Sequence, residues 1–169
     1  ALYDVVGIDT AVYAGKTMID AFPDRAENSP LLEALVEAGR IGQKSGSGFY
    51  AYPDGKRRGV EDPDLAPILE APRQDQRSFR AEGIVARLLV PMLGEATRAL
   101  ADGIVRDVRD VDMGMIFGIG FPPFRGGPLF WADSLGAEGL AALVKPLTSR
   151  GARYEITPLL EEVIQGKRT

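Results

Sequence analysis

Three groups of residues in this sequence have the types and spacing to do chemistry. The first is the loop Gly42-Gln43-Lys44-Ser45-Gly46-Ser47-Gly48, which runs into Phe49-Tyr50-Ala51-Tyr52. Backbone N–H groups in glycine turns make anion sites, so a phosphate contact helped by Lys44 is one reading. The order is wrong for a Walker loop: the lysine precedes the later glycines, and an aromatic extended stretch follows where a helix should begin. A structural turn is the favoured reading. The second group is Glu95, Asp110 and Asp112, three carboxylates that could pair or ligate a metal. Asp110 falls in the first turn of a predicted helix, where an acid meets the positive end of the helix dipole, so capping and solvation are favoured and no metal is expected. The third is Arg87, one residue away from the apolar positions of its helix and two turns before Glu95. A role in tying carboxylates or helix-end carbonyls at an interface is favoured over ligand binding.

What is missing narrows the chemistry further. There is no cysteine and no histidine among the 169 residues. Disulfides, thiolate catalysis and cysteine zinc sites are excluded, and so are the commonest general base and the commonest transition-metal ligand. A net charge of −4 argues against nucleic acid and anionic membranes as partners. No apolar run approaches the roughly 20 residues of a membrane span, and a cytoplasmic location is expected. The N-terminus Ala1-Leu2-Tyr3-Asp4 has no initiator methionine or signal-peptide pattern, and the chain reads as if it begins inside something larger.

The elements that must position these residues are helical. Asp9 or Thr10 can cap a helix to about Ala21, and Ser29-Pro30 starts another that Gly39 stops. Residues 53–77 read as a connector with four prolines, the basic run Lys56-Arg57-Arg58 and a short helix begun by Asp62-Pro63. Ser78 opens the strongest helix, to about Asp102, with Ile84, Leu88, Met92, Ala96 and Ala99 as its apolar stripe and Pro91 inside it, expected to cost a hydrogen bond and bend it. Asp107 caps the next, with Asp110 at N3 as in a capping box and Val108, Val111, Met115 and Ile116 as the stripe. The stretch from Gly118 to Gly127, with Phe121, Pro122 and Phe124, breaks it. Further helices follow from Pro128 to Gly136, over about 138–149, and from Thr157-Pro158. Six to eight helices and at most one or two short strands make the fold all-α.

Leu2-Tyr3-Asp4-Val5-Val6-Gly7 matches Trp131-Ala132-Asp133-Ser134-Leu135-Gly136 at an offset of 129 residues, with a helix after each copy. Such a match hints at duplication. The aromatic set Phe117, Phe121, Phe124, Phe130 and Trp131 brackets the stretch Gly118–Gly127. It is expected to lie mostly in the core or in contacts between domains, with part of it exposed as a sticky patch where covering helices are missing.

Three blocks resemble the C-terminal region of 3-hydroxyacyl-CoA dehydrogenases. They are Gly39–Tyr50 (a glycine turn, a lysine, then Gly-Phe-Tyr), Ile84–Ala96 (an arginine, an apolar run, a proline, then Glu95-Ala96), and Asp110-Val111-Asp112 followed by the Gly/Pro loop Gly118–Pro128. Their order resembles the tandem C-terminal domains of multifunctional β-oxidation α-subunits. The resemblance implies the second half of a first copy at 1–52, a linker at 53–77 and a second copy at 78–169, packed as a pseudo-dimer. It implies an upstream Rossmann domain that binds NAD and supplies a His–Glu pair, so this segment itself binds no cofactor and carries no catalytic residue. An acyl-CoA is the implied substrate, whose phosphate is what Lys44 would meet. A fused hydratase, a thiolase subunit and a homo-oligomer are open as partners. The family's usual asparagine before the arginine is Ala86 here, so the second copy reads as kept for packing: Arg87, Pro91, Glu95, Asp110, Phe121, Pro122, Phe124 and Trp131 are structural or interfacial. The isolated chain is expected to be inactive. Competing readings are a non-catalytic helical interaction module and the helical domain of another NAD-linked hydroxyacid dehydrogenase.

Overall fold

The computed structural model describes residues 1–53, 58–70 and 78–167. The chain divides into two compact units, Ala1–Arg77 and Ser78–Thr169. Among the described residues there is no strand, only isolated bridges joining Gly42 to Ser47, Ser47 to Ala51 and Ala51 to Val60. The all-α expectation holds.

The first unit contains α1 (Leu2–Val6), α2 (Ile8–Ala21), α3 (Pro30–Glu37) and α4 (Ala66–Glu70). α2 begins earlier than expected, with Gly7 as N-cap at φ 103°, so neither Asp9 nor Thr10 caps it. The reason is α1, whose last turn runs directly into Gly7 and leaves no extended residue further on. α3 starts at Pro30 as expected, yet Ser29 makes no side-chain cap. Asn28 takes over, its Oδ1 accepting from Ser29 N at 3.0 Å and its Nδ2 donating to Glu33 at 2.6 Å. The expected short helix appears as a 3₁₀ turn at Pro63–Leu65 leading into α4, with Asp62 as a true N-cap accepting from Asp64 N. Residues 58–70 of the stretch read as connector pack into the first unit, through the Ala51–Val60 bridge and α4 on α3. Lys56 and Arg57 lie outside the described residues.

The second unit contains α5 (Ala81–Ala101), α6 (Val108–Ile119), α7 (Pro128–Ser134), α8 (Gly136–Val144) and α9 (Pro158–Ile164), with 3₁₀ turns at Pro123–Arg125, Lys145–Arg150 and Ala152–Tyr154. α6 runs through Gly118, the first residue of the stretch expected to break it, and ends on Gly120, whose φ of 73° supplies a left-handed cap. The face that α5 buries also differs from expectation. Ala86, Val90 and Leu93 pack against Ala132, Leu140, Val144, Leu147 and Leu160, whereas Ile84 and Leu88 are 47% and 67% exposed. From Ile84 to Leu93 the helix is apolar almost all round, so its period could not say which side faces inward. Truncating Leu93, which is fully buried, should cost about 2–5 kcal/mol.

Two polar devices lock this core. Pro91 has no N–H to give the carbonyl of residue 87, one turn earlier, and α5 continues through it to Ala101. The hydroxyl of Tyr154 donates to that same Arg87 carbonyl at 3.5 Å. Farther along α5, Thr97 and Thr157 are both buried with their hydroxyl oxygens 2.7 Å apart. Thr97 lies within bonding distance of the Leu93 and Gly94 carbonyls, while Thr157 caps α9 by accepting from Leu160 N. One relay of donors therefore satisfies the start of α9 and pins it to α5, burying no hydroxyl unpaired.

The repeat seen in the sequence is carried by more than its hexapeptide. Gly7 and Gly136 are both left-handed junctions between consecutive helices. Ser29-Pro30-Leu31-Leu32-Glu33, which begins α3, corresponds to Thr157-Pro158-Leu159-Leu160-Glu161, which begins α9. Each triplet of helices packs in the same order, α2 on α1 and α3, α8 on α7 and α9. The aspartates do not correspond in role: Asp4 is 1% exposed, and Asp133 lies at the surface.

Candidate functional site

Within the first unit the glycine-rich loop is organised around Asp4. Its Oδ1 accepts from Phe49 N at 3.0 Å and its Oδ2 from Tyr50 N at 3.0 Å and from the Tyr52 hydroxyl at 2.9 Å. A side chain at Gly48 would strike the Asp4 carboxylate, and one at Gly42 would strike its backbone, so both glycines are required by close approach. Tyr52 is 4% exposed, and burial first, then the hydrogen bond to Asp4, pushes its hydroxyl up to about 12. Arg40 closes the other side. Its Nε donates to Gly48 O at 3.0 Å and its Nη2 to Asp62 Oδ2 at 2.6 Å, with both side chains nearly buried. That bond to Arg40 holds the Asp62 carboxyl below the usual aspartate range.

Lys44 is engaged within the first unit. Its Nζ donates to Asp9 Oδ2 at 2.7 Å, and this bond is the main cause that lowers Asp9. Four amides of the loop are spent internally: Gly42 N on Ser47 O, Ser45 N on Gly42 O, Gly46 N on Gln43 O and Gly48 N on Tyr50 O. Those four amides are not available to cradle a phosphate or a dinucleotide. The loop is a structural turn that joins α1, α2 and the Tyr50–Tyr52 segment.

In the second unit Asp112 plays a part parallel to that of Asp4. Buried on α6, it accepts from Leu129 N at 2.8 Å and Phe130 N at 3.1 Å, capping α7 from another helix. Gly127, at φ 108°, abuts its carboxylate with no room for a side chain. Of the capping and solvation expected for these acids, Asp112 therefore does the capping, from a buried position and for a helix other than its own. Asp107 caps α6 as expected, accepting from Arg109 N at 2.8 Å and Asp110 N at 3.2 Å. Asp110 does not complete a capping box, because its carboxylate is drawn to the guanidinium of Arg106 at 2.7 and 3.0 Å, which lowers its pKa. Glu95 pairs with Arg98, three residues on. Arg87 departs from expectation as well: among the described residues its guanidinium partner is the ring of Phe79, at 4.5 Å, and not a carboxylate. No group of three or more described acids, cysteines or histidines could hold a metal ion.

The aromatic set splits. Phe121 is buried and Trp131 packs against the core, but Phe117, Phe124 and Phe130 are 79%, 83% and 61% exposed. Arg125 lies over the Phe124 ring, and Pro122 is exposed on the same loop. The chemistry on display is thus that of packing: buried carboxylates that grip backbone amides, and apolar faces turned outward. Arg40 and Thr97 were not singled out from the sequence, and Asp4, Tyr52, Asp62 and Thr157 were read only as parts of a repeat, an aromatic stretch or helix starts, not as buried polar anchors. Glycines at Gly42, Gly48 and Gly127 were the available signal, since closely approached backbone needs something to approach it.

An all-helical unit with internal carboxylate clamps and a Gly-Phe-Tyr turn is a scaffold class, and comparison with known proteins makes it specific. The chain belongs to the family described as 3-hydroxyacyl-CoA dehydrogenase, C-terminal domain, which it matches over residues 1–52 and 84–169. It is 42% identical over 167 residues to the fatty acid oxidation complex subunit alpha of Pseudomonas savastanoi pv. phaseolicola, covering 96% of this chain and 23% of that protein. Identity and coverage are the same for the subunit alpha of Pseudomonas aeruginosa strain UCBPP-PA14. The chain therefore spans about a quarter of the relatives it matches. Its fold is similar to that of 3-hydroxybutyryl-CoA dehydrogenase from Escherichia coli K12, with TM-score 0.73 and 19% identity over 98% of this chain and 50% of that one. It is also similar to the dehydrogenase part of multifunctional enzyme 1 from C. elegans, with TM-score 0.66 and 19% identity over 95% and 37% of the two chains. Among the described residues no helix is long and apolar enough to cross a membrane.

Proposed function

We propose that this chain is the helical part of an NAD-dependent (3S)-3-hydroxyacyl-CoA dehydrogenase of fatty-acid β-oxidation, which oxidises its substrate to 3-oxoacyl-CoA in the cytoplasm. The observation that carries the reading is the family match in two blocks, together with 42% identity across almost the whole chain. Residues 1–52 and 78–169 are two copies of one helical domain joined by 53–77; the shared Gly7/Gly136 junction and the Ser29-Pro30/Thr157-Pro158 helix starts support this. The segment supplies geometry: it closes the acyl-CoA cleft and packs against a Rossmann domain elsewhere in the polypeptide, and a second copy or a thiolase subunit is a further candidate partner. Hydride transfer to NAD is that other domain's chemistry. The sequence here has no histidine, and among the described residues there is no strand–GxGxxG–helix unit.

The test is a chimera. This chain replaces the matched stretch of the Pseudomonas aeruginosa subunit alpha, and NADH formation from a (3S)-3-hydroxyacyl-CoA is followed. Turnover within about tenfold of the parent, about 1.4 kcal/mol in the barrier, is expected. A folded chimera without turnover overturns the reading, as does NADH formation by the isolated chain for the proposed division of labour.

A further inference from the structure

Among the described residues four arginines lie over an aromatic ring, and three of them have a local explanation. Arg25, over Phe22, is bound to Asp24. Arg125 and Arg153 lie 5.5 and 6.0 Å from the rings of their own chain neighbours, Phe124 and Tyr154. Arg87 is different. Its guanidinium stands 4.5 Å over the ring of Phe79, which precedes α5. Neither Arg87 nor Arg80, the N-cap of α5, has a carboxylate partner among the described residues. Arg80 comes seven residues before Arg87, about 20° short of two helical turns, so both leave α5 on one side. The nearby acids face elsewhere: Glu82 lies about 140° round the helix from Arg87, and Glu95 pairs with Arg98. Gly83, one turn before Arg87, keeps this side open, since a side chain built there would meet nothing within 4 Å.

A guanidinium laid flat on a ring is held through its face, and its N–H groups point outward in its own plane. That edge matches two oxygens of one phosphate. A phosphate monoester carries close to two negative charges at neutral pH, and Arg80 supplies the second cation on the same side. Phe79 is 49% exposed, so the ring and the stacked guanidinium offer a platform on which a nucleobase can lie. We propose that Phe79, Arg80 and Arg87 form a binding site for a nucleotide bearing a phosphate monoester, its base on the Phe79–Arg87 platform and its phosphate between the two arginines. The site stands on these three residues alone and does not depend on the dehydrogenase reading.

The probes are AMP, adenosine and inorganic phosphate, titrated into this chain while the arginine Nε–H and α5 amide signals are followed by NMR. AMP should give saturable shifts centred on Phe79, Arg80 and Arg87. Adenosine and phosphate each lack half of the ligand, so each should bind at least about tenfold more weakly. Arg87→Ala should weaken AMP binding by about tenfold or more. Arg87→Lys keeps the charge but loses the flat stack and the fork, so it should also weaken binding. Arg125→Ala, which removes another exposed stacked arginine, should change nothing. Unchanged helical circular dichroism shows that each variant is folded. Coenzyme A and its dephospho form then separate the sources of the monoester. Tighter binding of the former points to the coenzyme's own phosphate, and equally weak binding of both beside tight AMP points to a free nucleotide. No saturation by AMP, shifts centred on other elements, or an affinity for phosphate equal to that for AMP overturns the proposal. So does full binding by Arg87→Lys, or a loss in Arg125→Ala as large as in Arg87→Ala.

Discussion

The hydroxyl of Tyr154 donates to the carbonyl of Arg87, the acceptor that Pro91 leaves without its helical partner. A proline inside a helix normally exposes that carbonyl or leaves it unpaired. Here a residue 67 positions away fills the gap and ties the Ala152–Tyr154 turn to α5. Tyr154→Phe should cost about 0.5–1.5 kcal/mol in urea unfolding. In a Pro91→Ala background, where the helix supplies its own donor, the same change should cost clearly less. Equal losses in both backgrounds would show that the two residues act independently.

Asp4 accepts three hydrogen bonds in a buried place, so Asp4→Asn removes one acceptor oxygen and sets an amide donor against a backbone N–H. A loss of about 1–3 kcal/mol is expected on thermal unfolding. The same pair makes an alkaline prediction. Tyr52 rises from 10.0 to about 12 in the folded chain, so its contribution is fully present below pH 10 and is lost as pH rises through about 12. A phenolate absorbance step delayed to that range, and moved downward in Asp4→Asn, is the expected titration. A step unaffected by Asp4→Asn would mean that burial alone raises it.

Asp62 is shifted the other way. Arg40 holds its carboxyl below 3.8, so the contribution is present above that value and lost as pH falls through the folded-state value. Acid unfolding of the native chain and of Asp62→Asn should converge in strong acid and separate as pH rises past 4. Parallel curves at all pH values would show that the Arg40 contact carries no charge-dependent stability.

Gly127 and Gly120 both have positive φ, but only Gly127 abuts Asp112. Gly120→Ala should cost about 1–2 kcal/mol, the penalty of a left-handed alanine. Gly127→Ala should cost distinctly more, because the added carbon also pushes Asp112 off the Leu129 and Phe130 amides. Comparable melting temperatures for the two variants would count against the clamp.

Much of this molecule was written locally. Helix starts at Ser29-Pro30, Asp62-Pro63, Asp107 and Thr157-Pro158, the all-α class and the three family blocks follow from nearest-neighbour chemistry: fixed proline φ, short polar caps and 3.6-residue periodicity. What only the tertiary structure decided is which partner each polar group takes and which apolar face turns inward. Asp110 chose Arg106 over a capping box, Arg87 chose Phe79 over a carboxylate, and Lys44 pairs with Asp9. α5 buried Ala86, Val90 and Leu93 and left Leu88 outside. The polar choices among these are settled by residues 4 to 35 positions away. A local pattern ranks the options for a side chain, but only the packed neighbours set the desolvation cost that selects among them.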